Sequence, residues 1–275
     1  MASQVNLSAA TRTNLLALQN TTKLIGRTQE RLSTGLKVNS ALDDASAFFQ
    51  SRSLQNRASD LNGIKNGVEQ GVQTLKAALN GIEQATKIVE QIKGLAESAK
   101  TALTAGERSS LANQAERLAA QLDNLIGDSS YNGVNLIKAT PDNLEVNFNE
   151  DSAIELTITG INMSAAQLGA DISTATNNWA TNGDINADID EYTSALGQMR
   201  TAASTLGSQN TLLQTRLDFT KTLVDTLKEG SDMLIAADMN EEGVNLLALQ
   251  TRQQLGINSL SLAAQSEQAI LSLFR

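Results

Sequence analysis

The chain has 275 residues, 41% of them hydrophobic, enough for packed cores and a length that suits about two domains. Histidine and cysteine are both absent, which removes disulfides, thiolate and imidazole chemistry and the usual zinc ligand sets. Thirty acidic against 21 basic residues give a net charge of −9, the wrong sign for neutralising a phosphate backbone, so nucleic acid is not an expected partner.

One proline, five Phe, two Tyr and one Trp cannot fill an ordinary enzyme core, whereas abundant Ala, Leu, Gln and Asn suit long helices. The first helix carries a stripe at Leu15, Leu18, Thr22, Ile25, Gln29, Leu32 and Leu36, stepping alternately by three and four. It should stop near Gly35. A connector at 34–44 follows, in which Ser40 and Asp43 form a weak capping box. A seven-residue step then runs through Ala47, Leu54, Leu61, Val68, Leu75, Ile82, Val89, Ala96 and Leu103, predicting one long helix. Its companion positions Ile64, Gly71, Ala78, Ala85 and Ile92 are mostly small and admit a close neighbour. Another helix is expected from about Glu107 to Ile126, with Gly127 as its C-cap.

The pattern then changes period. Tyr131-Asn132-Gly133 signals a turn, and Leu144, Val146 and Phe148, then Ile154, Leu156 and Ile158, alternate with other residues as in a β-hairpin with one apolar face. Residues 160–183 read as an irregular surface stretch. From Ile189 a strict stripe resumes at Tyr192, Leu196, Met199, Ala203, Leu206, Asn210, Leu213, Leu217, Thr220, Val224, Leu227, Ser231 and Leu234. From about Glu241 a last helix places Leu246, Leu249, Ile257, Leu260, Ala264, Leu271 and Phe274 on one face. The fold class is mostly α: a long antiparallel coiled-coil rod with a small β-hairpin insert and paired terminal helices.

A single apolar stripe on each terminal helix is too little to offset the entropy of ordering it alone, so the ends are expected to complete themselves by pairing and by self-association. Chemistry is thin by comparison. The stretch Asp184 to Asp190 imitates half a calcium loop, but Ile189 stands where glycine is required and Ala195 where the bidentate Glu belongs, which favours a helix N-terminal acidic cluster. Asp43-Asp44 reads as a cap and not as an acid–base pair. Gly63, Gly67 and Gly71 read as close helix packing in water, because Lys65, Asn66 and Glu69 between them exclude lipid. Asn210 either fixes register at the seam or drifts toward solvent. No catalytic residue, metal site or cofactor site is expected. No run of eighteen apolar residues and no apolar leader within 1–30 occurs, so neither membrane insertion nor a cleavable signal peptide is expected.

The segment Arg31-Leu-Ser-Thr-Gly-Leu-Lys-Val-Asn-Ser-Ala-Leu-Asp-Asp44-Ala-Ser, with Asn14 and Leu15 upstream, closely resembles the N-terminal signature of bacterial flagellins. A second match lies at Gln214-Thr-Arg-Leu217-Asp-Phe, Ala237-Asp-Met-Asn-Glu-Glu and Gln268-Ala-Ile-Leu-Ser-Leu-Phe-Arg275. The two cover most of the chain in the right order, and the short middle is similar to that of alphaproteobacterial flagellins.

The resemblance implies an extracellular structural subunit of the flagellar filament that serves swimming motility. It also implies export, unfolded, through the flagellar type III pathway. Residues 1–33 and 236–275 would form the two halves of an inner core domain, 34–44 a connector, 45–138 and 186–235 the coiled-coil rod, and 139–185 the hairpin with a short variable surface region. Leu15, Leu18, Ile25, Leu32, Leu246, Leu249, Ile257, Leu260, Leu271 and Phe274 would carry self-assembly. Leu61, Val68, Leu75, Ile82, Val89, Leu196, Met199, Leu206, Leu213 and Leu217 would stiffen the rod. Implied partners are identical or sister subunits, flagellar cap and hook-associated proteins and an export chaperone. Family members sensed by the Toll-like innate receptor carry an Arg and an Arg-Glu pair where this chain has Glu90, Gln91, Lys93 and Gly94, which implies weak or no recognition. A hook–filament junction protein is the alternative within the same likeness, and a membrane-inserting coiled-coil translocator is a remoter one.

Overall fold

The computed structural model describes residues 9–150 and 155–273. Five helices, α1 (Ala9–Thr34), α2 (Ala45–Thr101), α3 (Ala105–Asp128), α4 (Asn182–Ile235) and α5 (Met239–Leu273), carry most of the chain, with strands β1 (Leu144–Asn147) and β2 (Glu155–Ile158) between α3 and α4. The chain divides into two units, residues 58–225 and residues up to 57 together with those from 226.

In the unit of residues 58–225 the seven-residue step holds. Leu61, Val68, Leu75, Ile82, Val89 and Ala96 of α2 are all buried, as are the companions Gly71, Ala78, Ala85 and Ile92. The step fails at Leu103, which is 95% exposed because α2 stops at Thr101 and Leu103 falls in the turn before α3. That turn is fixed by a capping box: Thr104 accepts from the Glu107 backbone N–H, and the Glu107 carboxylate accepts from the Thr104 N–H. Alanines 112, 115 and 119 with Leu122 and Ile126 turn the buried face of α3 into the same core.

Along α4 the expected stripe is buried or half-buried at every position from Ile189 to Val224, including Leu196, Met199, Leu206, Leu213 and Leu217. It packs antiparallel to α2, with Lys93 Nζ donating to Thr193 Oγ1 (3.1 Å) and the Thr86 hydroxyl lying 3.6 Å from the Met199 sulfur. Asn210 stays on this stripe, half-buried, and among the described residues no donor reaches its side-chain oxygen. The helix starts at Asn182, seven residues earlier than the periodicity indicated, because Thr181 and Asp184 cap each other. The Thr181 hydroxyl and N–H hold the Asp184 carboxyl below the usual carboxylate range. Asp184 is thus a cap, as the degenerate loop motif suggested.

The hairpin pairs Leu144 with Ile158 and Val146 with Leu156, so Val146 and Ile158 face the core. Ile154, expected in the second strand, lies outside the described residues. Of the three glycines at 63, 67 and 71 only Gly71 is closely approached: a methyl there would lie 2.9 Å from Val146 Cγ2 and 3.3 Å from Leu213 Cδ1. Gly63 and Gly67 face open space, which corrects the expectation of a glycine row against a neighbouring helix. Asn132-Gly133 forms the expected tight turn, both with positive φ (52° and 83°) and closed by reciprocal bonds between Tyr131 and Val134.

Residues 160–183 depart from expectation. They are irregular, yet Met163, Ala165, Leu168, Ile172 and Trp179 are buried within the core, so the stretch is not a surface decoration. Asp188, 1% exposed on α4, accepts from the Trp179 indole N–H (2.7 Å) and the Thr176 N–H (2.9 Å), tying down a turn in which Asn177, Asn178 and Trp179 all have positive φ. Polar spacers hid this from a period-based reading, because the buried residues follow neither a helical nor a strand repeat.

In the other unit α1 and α5 pair, and two short connectors lie side by side. Gly35 ends α1 with φ +71°, as expected, and the Lys37 N–H donates to Ile235 C=O (2.7 Å) while the Ala237 N–H returns to Gly35 C=O (2.9 Å). Asp43 closes the 40–43 turn through bonds from the Ser40 and Asn39 N–H groups, and Asp44 caps α2 by accepting from the Ala47 N–H. Asp238 caps α5 in the same way.

Candidate interaction surfaces

The α1–α5 seam differs in residue choice from the stripe read off the sequence. On α1 the covered positions are Thr11, Asn14, Leu18, Thr21, Ile25, Thr28 and Leu32; on α5 they are Glu242, Leu246, Leu249, Gln253, Gly256, Leu260 and Ala263. Leu18, Ile25, Leu32, Leu246, Leu249 and Leu260 therefore lie on the seam as placed. Leu15 and Ile257 do not: they are 37% and 45% exposed, and Asn14 and Gly256 occupy the seam instead. Thr22, Gln29 and Ala264 are exposed as well. The sequence reading favoured the larger apolar neighbour at each step, whereas an antiparallel helix pair at close approach takes the smaller one. Phe274 lies outside the described residues, and Leu271 outside those whose side chains are described.

Three contacts fix the antiparallel register. Arg31 Nη1 meets Glu242 Oε1 at 2.7 Å, Gln253 Nε2 donates to Thr22 Oγ1 at 3.3 Å, and Leu18 lies over Gly256, where a methyl would sit 2.9 Å from Leu18 Cδ1. Thr21 suits a buried seam because its hydroxyl is satisfied by the Ala17 carbonyl (2.9 Å), leaving its methyl to pack.

Helix α5 carries a second apolar stripe, turned away from α1. Val244, Leu255 and Leu262 are separated by eleven and seven residues, close to whole helical turns, and with Leu247 at the edge all four are largely exposed. Leu16 and Leu24 of α1 are exposed too. Further bare apolar groups, missed in the sequence, gather at the start of α2: Leu42 and Phe49 are exposed, Phe48 and Phe49 meet edge-on at 5.6 Å, and Arg52 lies over the Phe48 ring. Exposed apolar side chains aligned on one helix face are candidates for association.

In the unit of residues 58–225 an open groove of about 610 Å³ runs between α2 and α3. Gln91 and Gly94 line it from α2, and Gln114, Arg117, Leu118 and Gln121 from α3. Glu90 and Gln91 are exposed beside it, while Lys93 is bonded to Thr193 of α4. Elsewhere, burial and the charges of Asp188 and Asp171 raise the Glu191 carboxyl, and burial with Asp188 beside it pushes the Tyr192 phenol well up. Among the described residues no three acidic side chains come together as a metal cage, and no helix is long and apolar enough to cross a membrane.

Comparison with known proteins agrees with this arrangement. Residues 4–141 match the family model of the bacterial flagellin N-terminal helical region, and residues 189–274 that of the C-terminal helical region. Flagellin FljM of Caulobacter vibrioides is 31% identical over 95% of this chain and 96% of its own length, and flagellin FljK of the same organism 28% identical over 98% of each. A flagellin of Brucella melitensis is 29% identical over the full length of both chains. The chain belongs to the bacterial flagellin family, a family of structural proteins and not of enzymes.

Proposed function

We propose that the chain is the repeating subunit of an extracellular flagellar filament, polymerising through its terminal helices to give the stiff polymer that swimming requires. The observation that carries this reading is the exposed stripe Val244, Leu247, Leu255 and Leu262 on the side of α5 that α1 leaves bare, in a chain of the flagellin family. The α1–α5 seam residues Leu18, Ile25, Leu32, Leu246, Leu249 and Leu260 set the geometry of that stripe, and the α2 and α4 stripes supply stiffness. Nothing favours use at the hook–filament junction.

The test is growth of filaments on seeds of sheared filament, followed by electron microscopy. Leu18→Asp, Leu260→Asp and Leu255→Asp should each leave a folded, soluble unit of residues 58–225 that fails to extend seeds. Normal elongation by all three would overturn the reading. Export by the type III route, an export chaperone covering the apolar α5, and docking to cap and hook-associated proteins complete the proposal. Toll-like receptor activation should be weak, because Lys93 is engaged with Thr193 and Gly94 offers no carboxylate; strong signalling by purified monomer would contradict that part.

A further inference from the structure

We propose that residues 160–183 form a strap over α3 and α4 that tightens in mild acid, when Glu191 takes up a proton, and loosens toward neutral pH. The inference concerns a single copy and is independent of the filament reading.

The strap is fastened by N–H groups that donate to carboxylates. On α3, Asp123 Oδ1 accepts from the Ala165 N–H (2.7 Å) and Glu116 Oε1 from the Ala175 N–H (3.2 Å). On α4, Asp188 Oδ2 accepts from the Thr176 N–H and the Trp179 indole. Charge-assisted bonds of this kind are stronger than neutral ones. They hold a turn that resists, because Asn177, Asn178 and Trp179 have φ of 49°, 50° and 57°, a left-handed conformation that non-glycine residues adopt at a cost. Gly169, with φ +64°, lays the strap directly on Glu191: a methyl there would lie 2.7 Å from the Glu191 carbonyl oxygen.

The acceptors also repel one another. Burial, Asp188 and the strap's own Asp171 raise the Glu191 carboxyl. Burial and the charges of Asp188, Glu191 and Glu116 push the Tyr192 phenol up in the same way. Four carboxylates therefore lie within electrostatic reach of one turn of α4, and no basic residue acts on Glu191. Lys93 of α2 donates instead to Thr193, and Arg108 of α3 reaches the Ala180 carbonyl at 3.5 Å. Asp188 is 1% exposed, and among the described residues no donor reaches its Oδ1.

Glu191 is the expendable charge. Glu116 and Asp188 hold the strap and Asp171 accepts from Ser173, whereas among the described residues Glu191 has no hydrogen-bond or ion-pair partner. A proton there relieves repulsion and sacrifices no fastening bond. Opening carries Asp171 away and returns Glu191 to water, so the closed form holds the proton more tightly. Closure is therefore favoured below the ordinary glutamate value and loses that contribution as pH rises through the raised one. Asp184 sets the lower limit: Thr181 and Asn177 of the strap hold its carboxyl below the usual range, so its contribution to closure is lost in stronger acid.

The chain has no cysteine, so Ala175→Cys, on the strap and 9% exposed in the parent, supplies a single thiol. Its labelling by a pyridyl disulfide, divided by the rate for a free peptide of the same sequence at the same pH, reads strap opening. Between about pH 7.5 and pH 5 this ratio should fall about two- to threefold. Adding Glu191→Gln should give the low ratio throughout and a flat profile, and Asp171→Asn a shallower one. Asp188→Ala, which removes a fastening, should raise the ratio at every pH, with far-UV circular dichroism reporting the helices. A flat profile without Glu191→Gln, or an unchanged slope with it, would overturn the strap. Should Ala175→Cys fail to fold, hydrogen exchange of the 163–179 amides, corrected for intrinsic rates, makes the same comparison between the unmodified chain and Glu191→Gln.

Discussion

The two units use one spacing to opposite ends. In residues 58–225 the three–four alternation carries Leu75, Val89, Ile92, Leu122, Leu206 and Leu213, all fully or nearly fully buried, and a tryptophan completes the core. In the α1–α5 pair the same alternation carries threonines, a glycine, a glutamine and an ion pair, while large aliphatics stand bare on the far side. Heptad spacing therefore fixes which face meets a neighbour but not how much free energy that meeting supplies. The first unit buries its large side chains among its own residues; the second leaves several of them uncovered among the described residues.

Substitutions can break or sharpen this contrast. The largest effect is expected for Trp179→Ala, which empties the core of residues 58–225 and should cost about 3–5 kcal/mol, seen as a lowered melting temperature for that unit. Next comes glycine. Gly81→Ala brings a methyl against Ser129 Oγ and within 2.8 Å of Ile137 Cδ1, and should destabilise by about 1–3 kcal/mol in chemical denaturation. Gly256→Ala in α5 has the opposite sign. Among the described residues the one close neighbour is the tip of Leu18, which can turn aside, so the helix gains up to about 1 kcal/mol and far-UV circular dichroism of the monomer should rise.

The smallest effect is electrostatic. Burial together with Asp188 and Asp171 raises the Glu191 carboxyl in the folded state, so Glu191 favours folding below its unfolded value and loses that contribution as pH rises through the folded one. Glu191→Gln should accordingly raise stability at pH 7 by a few tenths of a kcal/mol and not at pH 4, read from melts at both values.

Much of this architecture is legible in the chain because long helices write their buried face as a repeat. Leu61 through Ala96 and Tyr192 through Val224 were placed by period alone, and the hairpin by the switch to alternation. What escaped has physical causes. The period continues arithmetically past a helix end, so it ran on to Leu103, whereas the Thr104–Glu107 cap decides where α2 and α3 part. Close helix approach selects small residues, which an apolar repeat passes over: Gln253 and Gly256 are expected near the seam and lie on it, whereas Asn14 takes the place expected of Leu15, and Ile257 stands exposed beside Gly256. The burial of 160–183 depends on Asp188 reaching back to Trp179, a single polar tether with no repeat to announce it.

The outer stripe of α5 also governs how a polymer would begin. A handful of copies meeting by chance leave most of those leucines wet, whereas a copy joining an existing end covers its own stripe and restores an identical one for the next arrival. Starting is therefore disfavoured and lengthening is easy, so growth should show a lag that a preformed end abolishes.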